Sequence, residues 1–130
     1  MALEQTLPKL LAEQAAADYQ GVALRQKKLG IWNEITWGDY LENAQQLALA
    51  LSEKCNFKRG DKLAVIGDNR PQWVFSQMAA QVLGGISVGI YQELLPHQLI
   101  YYLNDCKPSV VVALDQEQVG KLLDIRNQIP

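Results

Sequence analysis

The residues with the types and spacing for chemistry are concentrated in one stretch, "GDNRPQW" at 67–73. It leaves an apolar run through a glycine and opens a helix-like segment. That is a setting in which backbone N–H groups can hold an anion at a helix N-terminus. A phosphate cradle, however, needs small residues so that several N–H groups converge. This stretch has a single glycine, an acidic side chain at Asp68, and Pro71, which has no N–H to donate. Neither G-x-x-x-x-G-K-[ST] nor G-x-G-x-x-G occurs. The pair Gly84-Gly85 follows a helical pattern and reads as a helix stop. The stretch is therefore read as scaffold. Asn69 is the expected N-cap with Gln72 three residues on, Pro71 sits in the first turn, and Trp73 packs against a sheet. Arg70 precedes a proline, which biases it away from helical torsions. It is assigned to the same scaffold, with pairing to Asp68 or to a distant domain left open.

The other reactive side chains are dispersed. His97 is the only histidine and has no nearby Ser, Cys or second His, so it reads as solvated. Cys55 and Cys106 match no metal or redox spacing and read as buried or half-buried free thiols. The carboxylates form no assignable acid–base pair. Four serines and two threonines are scattered along the chain. No catalytic residue, cofactor-binding residue or metal ligand is assigned.

The elements that must position these residues follow from periodicity. "TLPKLLAEQAAADY" predicts an amphipathic helix with Thr6 as cap, ending before Gly21. Two alternating runs, Val22 to Lys27 and Ile31 to Thr36, flank "KLG" and predict an antiparallel hairpin. "TWGDYLENAQQLALALSEKC" is a helix opened by the capping pair Thr36 and Asp39, with Leu41, Ala44, Ala48 and Leu51 on one face and Leu47 beside them. From residue 62 onward, strand and helix alternate: "KLAVIG", a helix over about 70–83, "GGISVGIY", "PHQLIYYLNDC", "SVVVAL", then "DQEQVGKLLDIRNQ". In the last, Val119, Leu122 and Leu123 are the expected packed residues and Gly120 a weak point. Alternation with continuously apolar strands predicts an α/β fold in three layers: a mainly parallel sheet, helices on both faces, right-handed crossovers, and the N-terminal β-hairpin as an addition. Residues 1–61 form the expected helix–hairpin–helix layer and 62–130 the βαβαβα unit.

Composition limits the partners. The formal charge of −2 and pI near 5.3 argue against a polyanion-binding surface, and the short runs "KK" at 27–28 and "KR" at 58–59 read as solvated turns. Nucleic acid is not an expected partner. No apolar run approaches the roughly 20 residues of a membrane span, and no signal peptide is evident. Free thiols fit a reducing, cytoplasmic compartment.

"TWGDYLENAQQLALAL", followed by "FKRGDKLAVIGDNRPQWVFSQMAAQVLGGISVGIYQELLPHQLIYYLNDCKPSVVVA", resembles the beginning of AMP-forming acyl-CoA synthetases of the adenylate-forming ligase superfamily, of the long-chain fatty-acid–CoA ligase type. The landmarks are the T-W-x-D-Y helix start, the R-G-D turn, "GDNRPQW", "GGISVGIY" and "YLNDC" before "VVVA". The resemblance implies a reaction in which ATP converts a fatty acid to an acyl adenylate and diphosphate, and the coenzyme A thiol then displaces AMP. ATP, magnesium and coenzyme A are the implied cofactors of the full enzyme. In that family the Ser/Thr/Gly-rich phosphate loop, the adenine and ribose motifs, the magnesium-associated glutamate and a C-terminal lysine lie downstream of the part matched. Residues 1–130 are thus expected to be an N-terminal fragment of an AMP-binding domain, a partial domain of a larger enzyme, inactive alone. Its partner would be the remainder of the ligase chain, with self-association through an uncovered sheet edge and peripheral membrane association of the parent enzyme left open. Tyr91 and Gln92, at the carboxyl end of a parallel strand, are the residues expected to approach a substrate crevice. Leu95 departs from the family's small hydroxyl residue before Pro96, which predicts a weaker helix start. The alternative is an autonomous α/β binding or interaction module without catalysis.

Overall fold

The computed structural model describes residues 5–130. Helix α1 (Leu7–Ala17) is capped by Thr6, whose side chain accepts from the Lys9 N–H, and Pro8 in its first turn needs no intrahelical partner. Strands β1 (Val22–Lys28) and β2 (Ile31–Thr36) pair antiparallel, with Lys28 opposite Ile31. The turn between them is the two residues Leu29 and Gly30, both at positive φ (52° and 78°). Those signs are those of a type I′ turn, whose twist matches that of the strands. Helix α2 (Trp37–Lys54) opens on a reciprocal capping box between Thr36 and Asp39.

The second half is β3 (Lys62–Gly67), α3 (Pro71–Val82), β4 (Ile86–Tyr91), α4 (Pro96–Cys106), β5 (Val110–Ala113) and α5 (Gln116–Asp124), followed by a 3-10 turn at Arg126–Gln128. The three strands form a parallel sheet ordered β4–β3–β5. Central β3 is sealed on both faces: Leu63, Ala64, Val65 and Ile66 have no solvent exposure. Each large side chain buried this way contributes about 1.5–3 kcal/mol. Leu63 and Val65 pack with Val110 and Val112 against α2 and α3, while Ala64 and Ile66 pack with Val88, Ile90 and Val111 against α4 and α5. The chain is therefore an α/β fold with helices on both faces of a parallel sheet, plus a short antiparallel hairpin.

Helix α3 stops as its sequence dictates. The Gly85 N–H donates to the Ala80 carbonyl and the Gly84 N–H to the Gln81 carbonyl, with Gly84 at φ +74°. This is a Schellman closure, which needs the left-handed torsion that glycine supplies without a Cβ clash.

Three expectations are corrected. The N-cap of α3 is Arg70, not Asn69, and no side chain caps it. Pro71 must occupy the first helical position, so the half-helical cap falls on the residue immediately before it. Asn69 instead donates its backbone N–H to Asp68 Oδ1 at 2.8 Å. Leu123 is 54% exposed, whereas Gln118 and Ile125 are buried; helix α5 ends at Asp124 and the 3-10 turn carries Ile125 under the sheet in its place. Cys55 is exposed, because it is the solvent-facing cap residue after α2, while Cys106 is half-buried; both thiols are free. At Leu95 the cap is supplied from the other direction: Gln98 Oε1 accepts from the Leu95 N–H at 2.9 Å.

Candidate functional site

Sheet topology makes a crevice without help from any special side chain. Helix α3, which follows β3, packs on one face, and α4, which follows the adjacent β4, packs on the other. The loops leaving the two carboxyl ends therefore diverge, and divergence of that kind opens a cleft in parallel α/β sheets. The cleft has a volume of about 480 Å³ and is lined by Gly67, Asp68, Asn69, Trp73, Gly89, Ile90, Tyr91 and Gln92. Gly67 and Tyr91 are register partners at its lip.

Its walls are set by local packing. The Trp73 indole lies over Gly89, so close that a Cβ on Gly89 would sit 2.9 Å from Trp73 Cζ2. At Gly67 a Cβ would come within 2.5 Å of Leu114 Cβ, which leans across from the end of β5. Arg70 and Lys121 tie the rim together through backbone carbonyls. Arg70 Nη1 donates to the Leu114 carbonyl at 3.3 Å, and Lys121 Nζ donates to the Gln92 carbonyl at 2.5 Å. Arg70 thus pairs with neither Asp68 nor another carboxylate; among the described residues the one salt bridge is Arg25–Glu34.

A second hollow of about 270 Å³ lies between β1 and the start of α3, lined by Leu24, Arg25, Gln26, Asn69, Arg70, Pro71, Trp73 and Val74. Asn69 and Trp73 face both hollows, so the segment at 69–73 is the wall between hairpin and sheet. The structure brings Tyr91, Gln92, Asn69 and Trp73 into one cleft and leaves Arg70 and Pro71 on its far side. His97 is exposed on α4 and does not line it. Sequence reasoning missed Lys121, for which the chain carries no signal, and Gly89, for which it does: a glycine inside a strand marks close approach of another group.

The cleft presents one carboxylate, two amides, a phenol and an indole. That set can hydrogen-bond and stack, but it holds no nucleophile activated by a base. Elsewhere, burial pushes the Cys106 thiol up, which favours its protonated form. No cluster of three or more metal-ligating side chains occurs among the described residues. The cleft also fails as a phosphate cradle: the Asn69 N–H is taken by Asp68, Pro71 has none, and the Asp68 carboxylate would repel an anion.

An open parallel α/β sheet with a cleft at its strand ends is a ligand-binding architecture, and comparison with known proteins specifies which. Residues 11–129 match the family of AMP-binding enzymes. The chain is 32% identical over 108 residues to the long-chain-fatty-acid–CoA ligase ACSBG1 of Rattus norvegicus, and 32% identical over 109 residues to that of Homo sapiens, covering 83% and 84% of this chain. It spans about 15% of the length of these curated relatives. Among solved structures it superposes on the anthranilate CoA ligase AuaEII in complex with anthranoyl-AMP, with a TM-score of 0.87 and 25% identity over 100% of this chain and 25% of that one. A putative long-chain-fatty-acid CoA ligase from Rhodopseudomonas palustris has the same fold, with a TM-score of 0.86 and 23% identity, over 100% of this chain and 32% of that one. The chain belongs to the AMP-binding enzyme family.

Proposed function

We propose that this chain supplies the N-terminal layer of an AMP-forming acyl-CoA ligase acting on long-chain fatty acids, and that the 130 residues alone adenylate nothing. The full reaction would be ATP, fatty acid and coenzyme A to acyl-CoA, AMP and diphosphate. The observation that carries this reading is the conjunction of a family match over residues 11–129 with a strand-end cleft that lacks a phosphate cradle. Support for the long-chain substrate comes from relatives at 32% identity over part of their length. In this reading Tyr91 and Gln92 face the substrate crevice, and Asn69, Arg70, Pro71 and Trp73 hold the hairpin against the sheet. Residues 1–61 and 62–130 act as the two sublayers.

No step of the reaction is assigned to a residue here, because the groups present do not fit ATP or magnesium. The chemistry of activation would be supplied by polypeptide beyond the matched part. ATP–diphosphate exchange with a long-chain fatty acid tests the proposal: the 130-residue chain should give no exchange above a no-protein blank. Exchange by this chain would overturn the claim of inactivity. A coding sequence that continues past Pro130 without a Ser/Thr/Gly-rich loop ending in Pro-Lys-Gly would remove the ligase assignment.

A further inference from the structure

The tip of the β1–β2 hairpin is built against the interest of the fold. Position 29 of a type I′ turn requires positive φ, which Asn, Asp or Gly adopt readily and a γ-branched apolar residue does not. Leu29 nevertheless holds φ +52° and is 93% exposed, so it gains no burial in return for the strain. Next to it Ile31 is 66% exposed and Trp32 61% exposed. A strained, solvent-facing apolar residue is a reason to look for function rather than stability.

The placement of the three is specific. Lys28 faces Ile31 across the ladder and Lys27 faces Trp32, so the isoleucine and the tryptophan emerge on opposite faces of the hairpin with Leu29 at its end. The result is a convex tip with Leu29 at its point and, on each face, one apolar residue beside a lysine. A groove in a partner protein receives one face of an element, whereas a fluid surface receives all sides of a point. Each apolar residue at the ladder's end has a lysine as its cross-strand partner, and Lys27 Nζ sits 5.8 Å from the Trp32 ring centroid. Glu34, the carboxylate of the hairpin, is engaged by Arg25 at 3.2 Å. The hairpin is therefore locally cationic on a chain whose formal charge is −2.

We propose that this hairpin tip is an interfacial anchor for an anionic lipid bilayer, with Leu29, Ile31 and Trp32 inserting among the headgroups while Lys27 and Lys28 pair with phosphates. Tryptophan at the water–lipid boundary and lysines just outside it are the residue types that such a boundary favours. Insertion is shallow. At about 3.3 Å per residue, Leu29 reaches only roughly one to two residues past the lysines, which matches the headgroup and upper acyl region rather than the bilayer centre. The turn's own N–H and C=O groups also need water, which forbids deeper entry. This anchor does not depend on the ligase reading; either can fail while the other stands.

The test is co-sedimentation of the full chain with phosphatidylcholine vesicles, with and without about 30% phosphatidylserine. Binding is expected to the anionic vesicles and to fall with added salt. Leu29→Gly is the informative variant because it removes the apolar point while relieving the turn: thermal stability should rise as vesicle binding falls, by about tenfold when combined with Trp32→Ala. Lys27→Glu with Lys28→Glu should abolish the preference for anionic vesicles, each lysine being worth about fivefold at low salt. No sedimentation with either vesicle, or equal binding by the Leu29→Gly/Trp32→Ala chain, would overturn the anchor. So would a Leu29→Gly chain that loses self-association in analytical ultracentrifugation while vesicle binding is unchanged, since the tip would then be a contact between copies.

Discussion

Gly89 and Trp73 show how a residue with no side chain can shape a cleft. The indole fills the space a Cβ would occupy, and so becomes the cleft's inner wall. Gly89→Ala should displace the ring and cost about 1–3 kcal/mol, the usual range for overpacking, read as a lower denaturant midpoint. Tyr40 offers a separate handle. Its ring packs edge-on against Phe75 at 5.7 Å and stacks on Trp37 at 6.3 Å, and burial raises its phenol above the ordinary value of 10.0. The folded state therefore holds the proton more tightly than the unfolded chain. The stability this contributes is fully present below pH 10 and is lost as pH rises through the folded pKa. Tyr40→Phe keeps the ring, so the urea midpoint should fall less steeply above about pH 10 than in the parent chain.

At the scale of elements, helix starts differ in kind. Helix α2 is closed by Thr36 Oγ1 accepting from the Asp39 N–H at 3.0 Å and Asp39 Oδ2 accepting from the Thr36 N–H at 3.1 Å. Thr36→Ala should cost about 1 kcal/mol, seen as a lower thermal midpoint. Helix α3 has no such cap and starts on proline, and its first turn is held by Arg70 reaching across to the end of β5. Capping boxes and proline starts are local, which is why the Thr36–Asp39 box and the first-turn prolines were legible in the chain, although the Asn69–Gln72 box expected at α3 does not form. The Arg70 tie spans 44 residues and leaves no local trace. The same distinction explains α5: its periodicity favoured Leu123, but the turn at Arg126–Gln128 rotates Ile125 into the core instead.

On the scale of the whole molecule, the sheet has a buried centre and open sides. Strand β4 exposes Ile86 and Tyr91. Unpaired strand edges bearing apolar side chains are templates for association. The chain should self-associate with concentration in sedimentation velocity, and monomeric behaviour throughout would show that its edges are adequately blunted. No helix among the described residues is long and apolar enough to cross a membrane.

By itself the sequence determined the order and kind of the elements, the two-faced burial of β3, and the scarcity of reactive side chains, since periodicity, caps and composition are properties of neighbouring residues. Only the tertiary structure decided that Asn69, Trp73, Tyr91 and Gln92 share a cleft, that Lys121 closes its rim, and that Leu29, Ile31 and Trp32 stand together unburied. Those outcomes depend on which strand lies beside which and on which helix covers which face, and they are settled by packing between residues far apart in the chain.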